Sequence, residues 1–437
     1  MKYNVAMSLA LSSANRRPCP AESESRDASR RIGQAAVRTA VVWIAACGLQ
    51  PAALGAEGAE LTQSDVFTEG EASYHTFRIP AMVVSKRGTI LAFCEARKGS
   101  SADHGDIDLV LKRSFDNGRT WGPLQIVHEE GGTARIAIGN PAPLVERETG
   151  AVHLLFTRDN RQVFHTRSTD DGAHFYHPKE ITAAFEGFRA QLATDVSKTG
   201  AGHKSDGLSF QATRLATGPG HAIQTSRGRF VVPVWLNSYH PYPSSAGGPN
   251  EVIDYRYRTG VVYSDDNGLT WNAGRVITAP SGSLEGSEAM VTETSGGSLY
   301  MNLRVSDRKT RTVAWSKDGG STWSPAAGDA NLIDPVCQAS IVRLAEPGDP
   351  KRAPILFANP ASTRRENLTI RLSLDDAGTW PVSKLLNEGP SAYSDLAALQ
   401  DGTIGCLYER GVKRAYEKIT FARFNLAWLT NSVSGSR

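Results

Sequence analysis

The sequence predicts an all-β chain folded as a six-bladed β-propeller, and three observations carry that prediction. An eight-residue pattern, S-x-D-x-G-x-T-W, occurs five times, starting at Ser114, Ser168, Ser264, Ser316 and Ser373. The intervals are 54, 96, 52 and 57 residues, so three agree on one period and the fourth is close to two. Short apolar runs lie between the copies, separated by Gly, Asp, Asn and Ser, and no long helical period stands out. A period of this size fits a repeated four-stranded unit. Five patterned units and one without the pattern make six, and the unpatterned one is expected within residues 180–255.

Each position of the pattern has a use. The Ser and Asp oxygens accept hydrogen bonds from backbone N–H groups in a tight turn. Gly takes a left-handed conformation without steric cost. Trp buries a large apolar area and pins the turn to a core. Two copies depart from it: His174 and Phe175 replace Thr-Trp in the second, and Ala377 stands at the Gly position in the fifth, with Gly378 one place on.

In chain order, residues 1–59 read as a targeting region. A basic stretch with Arg30, Arg31 and Arg38 precedes an apolar run from Ala40 to Cys47, and small residues from Pro51 to Ala56 follow. That is the layout of a secretory signal, and the run is too short to span a bilayer. The protein is therefore expected to be secreted or periplasmic. The segment Ile44-Ala-Ala-Cys47 also resembles a bacterial lipobox, which would anchor the chain through a lipid on Cys47. Residues 62–430 form the propeller and 431–437 a tail. Expected strands include Ala81–Val84, Thr89–Cys94, Leu109–Lys112, His153–Phe156, Arg229–Trp235, Thr259–Tyr263, Leu299–Leu303 and Thr369–Leu372. Residues 183–211 read as loop or short helix, and 237–250 (NSYHPYPSSAGGPN) as a long loop. The strand Ile419–Phe424 is expected to pair with the first strand after residue 61 and close the ring, which removes exposed edges.

Composition sets limits. The chain has 437 residues, 40% hydrophobic and 21% charged, with a net charge of +3. No Lys/Arg-rich run marks a nucleic-acid surface. The five cysteines match no zinc spacing, and Cys94 and Cys406 sit in apolar runs as small core residues. The ten histidines are scattered and form no ligand pair followed by a suitable third ligand, and no phosphate loop or dinucleotide motif is present. No metal or cofactor is expected, and a monomer is.

The repeat resembles the Asp-box of sialidases, and residues 74–80 (YHTFRIP) resemble their F/Y-R-I-P motif. The likeness runs from about Asp65 to about Trp428. On residue type alone Arg78 reads equally as a surface arginine, Tyr393 as a core or rim residue, and Glu288 as an exposed acid. The resemblance implies more. Sialic acid carries a carboxylate on its anomeric carbon, and sialidases hold it with three arginines, here Arg78, Arg304 and Arg365, with Arg364 as the neighbour of the third. Guanidinium suits this because it meets a carboxylate as a bidentate fork. The resemblance makes Glu409 the acid that orients the first arginine, Arg97 a substrate contact, and Asp103 the general acid/base, with Asp106 as its alternate. That carboxyl must be protonated to serve a leaving oxygen, so its pKa should be raised in a closed site. A loop of solvated acids, or a calcium loop through Asp103, Asp106 and Asp108, is the plainer reading of the same stretch.

The resemblance also pairs Tyr393, as nucleophile, with Glu288, as its base, over the competing Glu285. The chemistry suits a phenol: an anionic nucleophile would be repelled by the substrate carboxylate, whereas a phenol stays neutral until a base takes its proton. Sialidases with a Tyr nucleophile are the recognised exception among glycosidases. The implied function is exo-α-sialidase action on sialylated glycoproteins, glycolipids or oligosaccharides, with retention. Alternatives are a trans-sialidase or anhydro-product enzyme on the same site, and a non-catalytic glycan-binding propeller.

Overall fold

The structure, a computed structural model, describes residues 58–188, 190–191, 212–242, 252–279, 286–344 and 353–431. The targeting region, with Cys47, lies outside them. The fold is all-β. The strands are β1 (Leu61–Thr68), β2 (Thr76–Val84), β3 (Ile90–Arg97), β4 (Ile107–Ser114), β5 (Gln125–His128), β6 (Ile138–Val145), β7 (Val152–Arg158), β8 (Gln162–Ser168), β9 (Lys179–Glu180), β10 (Ala212–Thr217), β11 (Ile223–Gln224) and β12 (Phe230–Tyr242). They continue as β13 (Val252–Ser264), β14 (Asn272–Ala273), β15 (Gly286–Glu293), β16 (Leu299–Val305), β17 (Thr310–Ser316), β18 (Ala327–Ile333), β19 (Ser340–Arg343), β20 (Ile355–Pro360), β21 (Glu366–Ser373), β22 (Val382–Ala398), β23 (Ile404–Arg410) and β24 (Lys418–Phe424). Among the described residues no helix is long and apolar enough to cross a membrane.

Three sheets are four-stranded antiparallel meanders: β2-β3-β4-β5, β6-β7-β8-β9 and β15-β16-β17-β18. A fourth orders β10-β12-β13-β14, with β11 also on β12. The largest has seven strands, in the order β1-β24-β23-β22-β21-β20-β19. Within it β22 pairs with β21 through Val382–Pro390 and with β23 through Ser391–Ala398, so one long strand serves two meanders. The N-terminal β1 pairs antiparallel with β24, Leu61 opposite Phe424. The first strand thus meets the last, and the C-terminal meander takes its outer strand from β1.

Every copy of the eight-residue pattern is the turn between the third and fourth strands of a meander. In the first, the Ser114 hydroxyl accepts from Gly118 N at 2.8 Å, and Asp116 accepts from Thr120 N at 2.9 Å and Thr120 Oγ1 at 2.6 Å. His174 replaces the threonine in the second turn, its ring nitrogen 2.7 Å from Asp170. In the fifth, Ala377 itself adopts φ 67° and donates its N–H to Ser373 Oγ at 2.9 Å. The turn keeps its register and does not use Gly378.

The pattern-free unit is not at 180–255. Those residues hold β10 to β13, and the turn after β13 is the third copy, Ser264–Trp271. The 96-residue interval arises because β12 and β13 are 13 residues each and because residues 182–211 are inserted before β10. The unit without the turn is β22-β23-β24-β1. Its third and fourth strands are not consecutive in the chain, so no turn joins them. The segment expected as a loop from 237 is strand as far as Tyr242, paired in register with Val252. Residues 243–251 lie outside the described part.

The core is layered between meanders. One cluster joins Val231, Val261, Ile277, Val291, Met301 and Ala314, and another Phe67, Phe77, Met82, Val110, Leu407 and Phe421. Cys94, Cys337 and Cys406 are buried and free. The third turn packs on a buried histidine pair: a Cβ on Gly268 would lie 2.8 Å from His165 Cε1, and His153 Nδ1 is 2.9 Å from His165 Nε2. Burial, then the charges of His153, Arg167 and Lys179, push His165 down to about 3. Burial also lowers His153, with Glu146 opposing. In the unfolded chain both titrate at about 6.5. The unfolded state therefore binds more protons below that pH, and the pair's contribution is full above it. It is lost as pH falls toward 3, at about 1.4 kcal/mol per pH unit for the His165 ring. Between pH 7 and 5 the denaturant midpoint should fall, and His165→Gln should flatten that fall by about 1–2 kcal/mol. Equal slopes in both proteins would remove the pair as the cause.

Candidate active site

The first strands of four meanders carry the same irregularity near their N-terminal ends. Pairing skips from Arg78 to Ala81 in β2, from Gly139 to Ala142 in β6, from Gly286 to Ala289 in β15 and from Ser391 to Ser394 in β22. Each is a bulge of one extra residue, a device that re-aims side chains and clusters at active sites. The extra positions hold Ile79-Pro80, Asn140-Pro141, Ser287-Glu288 and Ala392-Tyr393. Ile79 has φ 62° and Asn140 φ 53°. A β-branched residue in the left-handed region is a true outlier, so something must hold Ile79 there.

Glu409, at the end of β23, does so. Fully buried, it accepts from Arg78 Nε at 2.7 Å, from Ile79 N at 2.9 Å and from Tyr393 N at 3.1 Å. One carboxylate fixes an arginine and two bulges. Glu95, at the matching place in β3, repeats the arrangement: it accepts from Arg97 Nη2 at 2.5 Å and from Asn140 N at 3.0 Å. Burial raises the Glu95 carboxyl, and Arg97 opposes it. A side chain at Gly139 would meet Glu95 Oε1 at 2.2 Å, so only glycine lets this acid in.

Around this frame the expected residues gather. Tyr393 Oη donates to Glu288 Oε1 at 2.6 Å, and Arg304 Nη1 donates to Tyr393 Oη at 2.8 Å and to Glu288 Oε2 at 2.6 Å. The guanidinium carbons of Arg78 and Arg365 each stand 5.4 Å from the centre of the Tyr393 ring. Arg364 points away: its side chain is 80% exposed and pairs with Glu366 at 3.2 Å. Glu285 lies outside the described residues. Burial, then Glu288, pushes the Tyr393 phenol well up, against Arg304 and Arg365.

Asp103 sits on the loop after β3. Its Oδ1 is 2.8 Å from Arg97 Nη1 and 3.8 Å from Arg78 Nη1. The carboxyl is 79% exposed. Desolvation raises its pKa, but Arg97, Arg78 and Arg365 outweigh it and hold the group below the ordinary carboxylate range. The raised value is expected of a closed, occupied site; in this free one Arg97 and Arg78, each also paired with a buried glutamate, act on Asp103 together with Arg365. Asp106 and Asp108 pair instead with Lys98, at 2.9 and 3.2 Å. Among the described residues no cluster of acids, histidines or cysteines could hold a metal ion.

The pattern turns lie at the other ends of the strands. In the register of β3 and β4, Arg97 faces Ile107 while Ser114 faces Ile90. Trp121 packs on Phe421 at 5.4 Å, and Trp323 lies against the Val231–Met301 cluster, both away from the arginines. A cavity of about 370 Å³, lined by Val145, His221, Glu293 and Arg343 among others, also opens at those far strand ends and is lined by none of Arg78, Arg304, Arg365 and Tyr393.

Two site residues had no mark in the sequence reading, Glu95 and Tyr416. Glu95 had a signal: Phe93-Cys-Glu95 and Cys406-Leu-Tyr-Glu409 both end an apolar run in an acid. Tyr416, in a polar loop, had none.

Comparison with known proteins places the chain. Residues 88–406 match the BNR repeat-like domain. An exo-alpha-sialidase of Aspergillus fumigatus is 30% identical over 387 residues, covering 82% of this chain and 86% of that one. The chain belongs to the sialidase family. A sialidase of Micromonospora viridifaciens is 34% identical over 380 residues, covering 84% of this chain, which spans 54% of that sialidase's length. Among solved structures, the Hadza microbial sialidase Hz136 aligns with a TM-score of 0.67 and 26% identity, over 84% of this chain and 69% of that one. Sialidases are glycoside hydrolases, and a tyrosine held between a carboxylate and an arginine is the feature of this site that bears on such chemistry.

Proposed function

We propose that this protein is a secreted exo-α-sialidase that removes terminal sialic acid from glycoconjugates with retention, on a six-bladed β-propeller spanning residues 62–430. The blade reading rests on the shared β22, the β1–β24 pairing and the recurring bulge in the first strands. The observation that carries the functional reading is the short chain Tyr393–Glu288–Arg304 amid Arg78 and Arg365.

Arg78, Arg304 and Arg365 receive the substrate carboxylate. That sets the anomeric carbon against Tyr393 Oη. Attack moves the phenol proton to Glu288 Oε1, already its hydrogen-bond acceptor, so the nucleophile gains charge only as the bond forms. Asp103 protonates the leaving oxygen and later activates water. In the free site it is ionised. A bound carboxylate neutralises the arginines that depress it, and exclusion of water then favours its protonated form. Arg97 holds the Asp103 side chain in reach.

Incubation with a fluorogenic sialoside and mass identification of the product tests the activity. Free sialic acid is expected, and an anhydro sugar would replace hydrolysis by intramolecular transfer. No release would leave a glycan-binding propeller. Asp103→Ala tests the acid: activity on natural sialosides should fall about 10²–10⁴-fold, and far less on an activated aryl sialoside, whose leaving group needs little protonation. Equal losses on both would shift the role to another carboxyl.

A further inference from the structure

Tyr416 touches two of the three arginines. Its ring lies 3.9 Å under the guanidinium carbon of Arg78, and its hydroxyl accepts from Arg365 Nη1 at 2.7 Å. The side chain is half-buried against Ile79, Cys337, Ala392, Tyr393 and Ala415. Its loop is a fixed platform. Glu417 accepts from the N–H groups of Val412, Lys413 and Arg414 at 2.9, 2.9 and 3.0 Å. The carbonyl of Glu417 accepts from Glu69 N at 3.0 Å, which ties the loop to the end of β1.

The partners of the arginines differ in charge. Arg78 has Glu409 and Arg304 has Glu288, each at ion-pair distance. Among the described residues no carboxylate lies at ion-pair distance from Arg365, whose acceptors are the Tyr416 hydroxyl and the Val336 carbonyl at 3.3 Å. A neutral acceptor orients a guanidinium yet leaves its charge for a ligand, whereas an acid would compete with the ligand. The ring face serves Arg78 in the same way: it attracts the cation without neutralising it. Two like charges are thus held close together by one uncharged side chain.

We propose that Tyr416 is a positioning residue of the arginine cluster, whose ring seats Arg78 and whose hydroxyl aims Arg365 at the substrate carboxylate without neutralising it. This rests on reading the cluster as a carboxylate site. The test measures, by calorimetry, binding of a sialic acid analogue with a free carboxylate and of its methyl ester, to wild type, Tyr416→Phe and Tyr416→Glu. Wild type should prefer the free acid; if it does not, the carboxylate reading itself fails, whatever Tyr416 does. If it does, Tyr416→Phe should weaken the free acid about tenfold and leave the ester within about twofold, with KM raised and kcat little changed. Tyr416→Glu should weaken the free acid about a hundredfold, because its carboxylate pairs with Arg365. A parallel loss for both analogues in Tyr416→Phe would make the residue a packing element only. No loss for either, or a Glu variant binding the acid as wild type does, would equally overturn the proposal.

Discussion

Tyr393→Phe should lower turnover on any sialoside by at least about a thousandfold while leaving the affinity for a carboxylate-bearing ligand within about threefold. The substitution removes one atom and keeps the ring, which packs with Ile79, Cys337, Ala392 and Ala415. The ring faces of the Arg78 and Arg365 contacts, both at 5.4 Å, survive. What disappears is the oxygen between Glu288 and Arg304. Arg304 keeps its 2.6 Å bond to Glu288, so the arginine stays in place to bind. Single-turnover kinetics with a fluorinated sialoside that traps glycosyl-enzyme should show a tyrosine-linked adduct by mass in the wild type and none in the variant. A variant with turnover within tenfold of wild type would place the nucleophile elsewhere.

The elements legible in the sequence were those whose chemistry is local. A turn of eight residues encodes its own hydrogen bonds, and so all five were visible from the spacing of Ser and Asp, with Gly at the fifth position in four of them. Even Ala377 fits, because the Ser373 and Asp375 acceptors hold the turn and the small methyl tolerates φ 67°. The unit without a turn was misplaced for a non-local reason. An interval of 96 residues can hold an empty unit or a stretched one, and nothing within it says which. The deciding fact is the β1–β24 pairing, between residues 350 or more apart. The site shows the same division. Arg78, Glu288 and Tyr393 stand in the bulged segments FRIPA, GSEA and SAYS, each closing on a small residue, Ala81, Ala289 or Ser394. Tyr416 gained its place through a loop whose anchors, Glu417 and Glu69, have no motif. The lowered pKa of Asp103 in the free site was not legible in the sequence, because it depends on Arg97, Arg78 and Arg365 together, a sum that only the assembled site presents.

Glu409→Leu should cost more stability than Arg78→Leu, although the two residues form one buried ion pair at 2.7 Å. Removing either leaves a partner behind, and the partners are not equally provided for. Without Arg78, the Glu409 carboxylate still accepts from Ile79 N and Tyr393 N. Without Glu409, the buried Arg78 keeps one carboxylate, the exposed Asp103 at 3.8 Å, and the ring faces of Tyr416 and Tyr393. Two backbone N–H groups also lose their acceptor, and Ile79 loses the bond that holds it at φ 62°. An uncompensated buried charge costs about 3–5 kcal/mol, and each buried unpaired N–H about 1–3 kcal/mol more. The Glu409 variant should therefore be the less stable of the two by at least about 2 kcal/mol in denaturant midpoints at neutral pH. Activity should separate them as well. Arg78→Leu removes one fork of the carboxylate site, so its loss should appear mainly in KM. Glu409→Leu also frees the Tyr393 backbone, so kcat should fall with it. Equal stability losses, or a Glu409 variant that keeps wild-type kcat, would mean that the bulges hold their shape without the carboxylate, and the assignment of Glu409 as their common anchor would fail.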